Sequence, residues 1–294
     1  MLYKITCGNS LAEINTMGGE LVSFIRDDVE YIWSGNPEYW SGHAPVLFPT
    51  VGALKNRETE INGKVYQMKK HGFARKSEFE MIELTKDSAS FLLKSSDETK
   101  ISYPFDFELI VKYTIFNNGF NTEYKVINTD HVEMLFGIGG HIGFNCPLVA
   151  DAQFTDYTIE FEEVENGPFY YTRTEDSDGV IHYEDRVKSL EGKKAIQLDY
   201  SLFDKDVLVI DKIKSKTLNL INKKNNRGIK FIMNGFSSIG LWTPPLKKAP
   251  FICIEPWTVN PDFSTNSKQF SEKPNVSSLS PNKEFTVSYK VEII

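Results

Sequence analysis

Glu255 follows Phe251-Ile252-Cys253-Ile254 and precedes Pro256-Trp257, a carboxylate inside a run that otherwise reads as buried β-strand. Burying a carboxylate is costly unless it is paired, or faces a cleft where its proton affinity is useful. Two histidines share comparable surroundings. His141 lies in Phe136-Gly137-Ile138-Gly139-Gly140-His141-Ile142-Gly143-Phe144, and His71 opens His71-Gly72-Phe73-Ala74-Arg75. Glycines around a histidine allow backbone or ligand to approach closely. One carboxylate and two imidazoles make up a small acid–base site. The plain alternatives are a structural ion pair for Glu255 and satisfied packing histidines for His141 and His71. Pro256 should end ladder pairing, which places Glu255 at a strand terminus, where sites open. The segment Gly240-Leu241-Trp242-Thr243-Pro244-Pro245 is close enough in sequence to form a hairpin with the Glu255 strand. That would bring Trp242 near, and a tryptophan face suits the C–H face of a sugar.

Other chemistries find less support. The glycines around His141 match neither the dinucleotide-binding nor the P-loop spacing, and no helix follows them. No Gly-x-Ser-x-Gly element exists for a serine hydrolase. Two histidines and a carboxylate could ligate a metal, but none of them are spaced i, i+2 or i, i+4. Neither a metal nor a cofactor is expected. His43, His131 and His182 read as surface or packing residues.

The elements that must position these groups are strands. Phe105, Phe107, Leu109, Val111, Tyr113 and Ile115 alternate, and so do Phe285, Val287, Tyr289, Val291 and Ile293. Asn62-Gly63 between Thr59-Glu60-Ile61 and Lys64-Val65-Tyr66 is a two-residue hairpin signal. Asn118-Gly119, Asp178-Gly179, Arg227-Gly228 and Asn234-Gly235 are further turn candidates. No window of a dozen residues carries a 3.6-residue period, so helix should be scarce. Turns about every 8–12 residues predict an all-β sandwich or barrel. Thr172–Asp185 and Asn260–Asn282 read as long loops, plausible rims or lids beside the site.

A chain of 294 residues could hold one large β domain or two smaller ones. Without a linker or fixed-period repeat, a single domain over 1–294 is the expectation. The net charge of −7, with both signs interspersed, disfavours nucleic acid as partner. No apolar run is long enough to span a membrane, and Met1-Leu2-Tyr3-Lys4-Ile5-Thr6 does not open like a signal peptide. Three cysteines without CxxC spacing suggest reduced thiols and a cytoplasmic protein. A monomer, or at most a weak dimer, is the default.

The order Asn56-Arg57, His71-Gly72-Phe73, Gly140-His141, Glu255-Pro256-Trp257 resembles the aldose 1-epimerases, or galactose mutarotases. Phe48-Pro49-Thr50-Val51-Gly52, His71-Gly72-Phe73-Ala74-Arg75 and Ile254-Glu255-Pro256-Trp257 are similar to the LacX-like branch. The resemblance runs from about Gly18-Gly19 to the C-terminus. It implies a single β-supersandwich with a hexose-binding cleft, and an enzyme interconverting sugar anomers without a cofactor. Carried over by position, Glu255 matches the general base and His141 the general acid. His71 and Arg57 match ligand-contacting residues. For the aspartate that holds sugar hydroxyls, Asp206 and Asp204 both qualify, and Asp206 is preferred because it directly precedes Val207-Leu208-Val209-Ile210. Two other readings stay open. One is a hexose-6-phosphate mutarotase, with Arg75 and Lys55 as phosphate candidates. The other is a carbohydrate-binding or sensing protein without turnover.

Overall fold

The computed structural model describes residues 1–173 and 179–294. Among them, strands dominate and the helical segments are single turns such as Asp97–Lys100. One antiparallel sheet of nine strands runs in the order 193–197, 157–165, 217–222, 228–234, 284–293, 119–128, 107–116, 88–94 and 80–84. Its long central strands alternate: in Phe107–Phe116 every second residue is buried, starting with Phe107. That is the period-two pattern read from the sequence, one face on the core and one towards solvent. The Asn62-Gly63 hairpin pairs Glu58–Ile61 with Lys64–Gln67.

A second sheet runs 181–186, 169–172, 208–210, 238–242, 251–257, 139–140 and 46–47, with Ile142–Asn145 also pairing the 251–257 strand. It packs against the first: Phe144 meets Phe231 edge-on at 6.2 Å. The apolar core between them draws residues from Ile5 to Val291. In the Phe251–Trp257 strand every residue is buried. Ile252 and Ile254 face the main core. Phe251, Cys253 and Trp257 belong to smaller apolar clusters on the other face, the face that strand alternation assigns to Glu255.

Three expectations need correction. Pro256 does not end its strand: Ile239 pairs with it and Gly139 with Trp257. It breaks the ladder only locally, on the side of Gly140 and His141. The stretch Thr172–Asp185 is not one loop, because Thr172 closes a strand and Ile181–Arg186 forms another that pairs with it. Its turn candidate at Asp178 lies outside the described residues. The Asn260–Asn282 segment is largely irregular, but Ser277–Leu279 forms a strand that pairs with Met134–Phe136, and Asp262, Phe263, Phe270 and Lys273 are buried.

Candidate active site

The register of the second sheet brings the acid–base pair together. Ile142 pairs with Ile254 and Gly139 with Trp257 in one continuous register. Carried across the gap, that register sets His141 directly opposite Glu255. Cross-strand neighbours lie close enough for side-chain contact, and His141 Nε2 is 3.3 Å from Glu255 Oε1. On the other side Glu255 pairs with Gly240. A Cβ on Gly240 would come within 2.5 Å of the Trp257 ring. Glycine there leaves room for the Trp257 ring.

His71 arrives from outside the sheet, on a turn where its φ is +67°, a strained conformation for a residue with a Cβ. Two hydrogen bonds to one residue hold it. His71 N–H donates to Gly52 O at 2.7 Å, and Gly52 N–H donates to His71 Nδ1 at 3.0 Å. Because Nδ1 accepts, the neutral ring carries its proton on Nε2. Burial holds this imidazole well below its ordinary pKa, with Lys70 adding to the effect. His71 is therefore a fixed neutral donor. Its ring meets His141 edge-on at 5.5 Å.

Asp206 and Trp242 complete the polar wall. Trp242 Nε1 donates to Asp206 Oδ1 at 2.8 Å and Thr172 Oγ1 to Oδ2 at 3.0 Å. Lys70 Nζ lies 3.8 Å from Oδ2. Each oxygen keeps a lone pair for a further donor. Asp204, the other sequence candidate, is exposed after the turn Tyr200–Phe203.

His141, Glu255, His71, Asp206 and Trp242 line one cleft of about 180 Å³. Arg57 is not part of that lining. It is exposed in the turn Lys55–Arg57, which leads away into the Glu58–Ile61 strand. The cationic side chains at the cleft are Lys70 and Arg75. Arg75 follows His71 by one short turn and donates from Nη2 to Lys70 O at 3.0 Å. Sequence reasoning missed Trp40, which stacks on His141 at 4.8 Å and 30°. It lies in an irregular stretch with no period or motif to mark it. The His141 ring is held by the Trp40 stack together with the Nε2 contact to Glu255 and edge-on contacts with Trp242 and His71. A larger cleft of about 630 Å³ lies against Lys69, Gly72 and Phe73, and no histidine is among the described residues that line it.

Burial sets the electrostatics. It pushes Glu255, 2% exposed, well above the ordinary carboxylate range, while Lys70 pulls the other way. It lowers His141 to about 3. Both shifts favour uncharged forms. The uncharged forms that burial favours are a carboxylic acid and a neutral imidazole, 3.3 Å apart with one proton between them. Moving that proton gives carboxylate and imidazolium, a base and an acid side by side.

The all-β sandwich thus holds a cleft that pairs a buried carboxylate with a histidine and has tryptophan in its wall. A family model described as aldose 1-epimerase matches residues 1–292. Protein LacX (plasmid) of Lactococcus lactis subsp. lactis is 35% identical over 291 residues, 96% of each chain. The structure of a galactose mutarotase related enzyme from Lactobacillus acidophilus superposes with a TM-score of 0.92 at 31% identity, covering 100% of this chain and 97% of that one. A galactose mutarotase-like protein from Lactobacillus casei gives 0.90 at 28%, covering both chains fully. The chain belongs to the aldose 1-epimerase family.

Proposed function

We propose that this protein is a mutarotase that interconverts the α and β anomers of a free aldohexose. The observation that carries the reading is the His141–Glu255 contact at 3.3 Å inside the cleft. With the sugar seated, the carboxylate of Glu255 takes the proton of the C1 hydroxyl. The imidazolium of His141 gives its Nε2 proton to the ring oxygen, and the C1–O5 bond opens to the aldehyde. Rotation about C1–C2 presents the other carbonyl face. The same groups then return their protons as the ring closes. Proton transfer is the only chemistry required, worth about 100- to 10,000-fold for positioned groups. His71 Nε2–H and the Asp206 carboxylate orient ring hydroxyls, the positioning share of the rate. A one-dimensional NMR panel of aldoses following anomeric exchange tests the activity and identifies the sugar. Tight sugar binding with exchange at the uncatalysed rate would replace the enzyme by a binding protein.

Trp242→Phe keeps the ring and removes the N–H that Asp206 accepts. KM is expected to rise about 3- to 10-fold, with kcat changed less than about twofold, the scale of one neutral-to-charged hydrogen bond. Initial-rate polarimetry over a range of sugar concentrations separates the two constants.

Lys70 and Arg75 at the cleft favour one second reading, a sugar carrying an anionic group such as a phosphate. Lys55 does not line the cleft. If the two cations hold phosphate, glucose 6-phosphate at low millimolar concentration competes with anomer exchange of glucose. Absence of competition removes this reading.

A further inference from the structure

Asp262 and Lys273 form an ion pair that the sugar chemistry does not use. Both side chains are 2% exposed. Lys273 Nζ lies 2.6 Å from each carboxylate oxygen of Asp262. Apolar side chains of similar size would hold such a place as well or better, because both charges lose their water. What sets the pair apart is what it fastens. Asp262 Oδ2 accepts the Lys55 N–H at 2.9 Å. Asp262 N–H donates to Ala53 O at 2.9 Å, and Asp262 O accepts the Ile181 N–H at 2.8 Å. One residue thus grips both ends of Ala53-Leu54-Lys55 and the first residue of a strand. Its neighbour Pro261 seats on Gly52, where a Cβ would come within 2.3 Å of Pro261 Cγ. Gly52 is the residue whose N–H fixes the His71 ring.

We propose that the Asp262–Lys273 pair is a clasp that positions His71, holding the Gly52–Lys55 segment so that the Gly52 amide keeps His71 an Nε2–H donor towards the cleft. Lys273 supplies the counter-charge to a buried carboxylate that grips a backbone amide. Asp262 and Lys273 are positioning residues: they act on the sugar only through Gly52 and His71. The inference rests on the reading that His71 touches the sugar.

Lys55→Pro tests it with the ion pair left intact. It deletes the one N–H that the Asp262 carboxylate takes from this segment. Leu54 already has the extended conformation (φ −88°, ψ 144°) that a following proline requires. The wild-type His71 ring is expected to show ¹⁵N shifts of an unprotonated Nδ1 and a protonated Nε2. In Lys55→Pro these shifts should move towards a tautomer mixture. KM should rise about 3- to 10-fold with kcat within about twofold, the scale of a loosened hydrogen bond. Asp262→Leu with Lys273→Met removes clasp and charges together and is expected to give the same His71 change. The test therefore does not depend on the proline variant folding. Asp262→Asn with Lys273→Met keeps an acceptor for Lys55 N–H and should leave the ring signals as in wild type. Unchanged His71 signals in a folded Lys55→Pro or Asp262→Leu/Lys273→Met protein overturn the clasp, as does a changed tautomer in the asparagine variant. The ring spectrum is read without sugar. A moved tautomer with unchanged kinetics would uphold the clasp and remove His71 from the sugar site.

Discussion

Glu255→Gln is expected to lower kcat for anomer exchange by at least about 100-fold while giving a protein that is more stable than wild type above neutral pH. The rate loss follows from removing the carboxylate that lies 3.3 Å from His141 Nε2, at the lower end of what positioned acid–base groups contribute. The stability gain follows from burial. The folded-state pKa of Glu255 is raised above its ordinary 4.5. Wild type therefore holds its full stability below about that pH and loses some as pH rises through the folded value. Glutamine has no such loss. The difference should be near zero at pH 4 and reach about 1–3 kcal/mol at pH 8, the scale of an uncompensated buried charge. Thermal unfolding at both pH values, beside polarimetry, reads both effects. A variant with near wild-type kcat removes Glu255 from the chemistry. A variant destabilised at pH 8 would mean that the carboxylate is held by compensating partners.

His141→Asn is expected to cost at least about 100-fold in kcat as well, and to change the pH profile differently. The active pair holds one proton in total. Wild-type activity should therefore describe a bell, falling on the acid side as a second proton binds and on the alkaline side as the shared one leaves. In wild type both limbs are set by the coupled pair, whereas each single variant leaves one group whose own titration sets the remaining limb. Without His141 the alkaline limb should disappear, and without Glu255 the acid limb. An intact acid limb in Glu255→Gln would assign the base to another group. Stability carries an independent sign. His141 is lowered from 6.5 to about 3 in the folded protein, so wild type loses stability as pH falls across that interval, where the unfolded chain takes up the proton. Asparagine is spared, and His141→Asn should gain on wild type between pH 8 and pH 5. A constant difference over that range would mean that the folded imidazole titrates normally.

The class of fold was legible because strand alternation is local. The runs 105–115 and 285–293 and the Asn62-Gly63 turn each declare themselves within a dozen residues, and they form the strands and hairpin expected. Glu255 and His141 were legible for a related reason: an ionisable group in a run of Ile and Cys, or among glycines, is conspicuous in its own segment. Their order with His71 carried the family resemblance, which the family match over residues 1–292 supports.

The tertiary structure decided what depends on pairing between distant segments. Pro256 looked like a strand end because a missing amide weakens a ladder. Only the register with Gly139 and Ile142 reveals that the strand continues and that the gap is where His141 meets Glu255. Trp40 reaches His141 across about a hundred residues with no local period to announce it. Arg57 and Arg75 are alike as sequence, and only the turn after His71 puts Arg75 at the cleft and leaves Arg57 outside. The Asp262–Lys273 pair lay in a polar stretch read as a loop, because burial of a charge is set by what packs over it and not by its neighbours in sequence. Amino-acid order fixed which groups could do proton chemistry. Sheet register, a long-range property, fixed which of them touch.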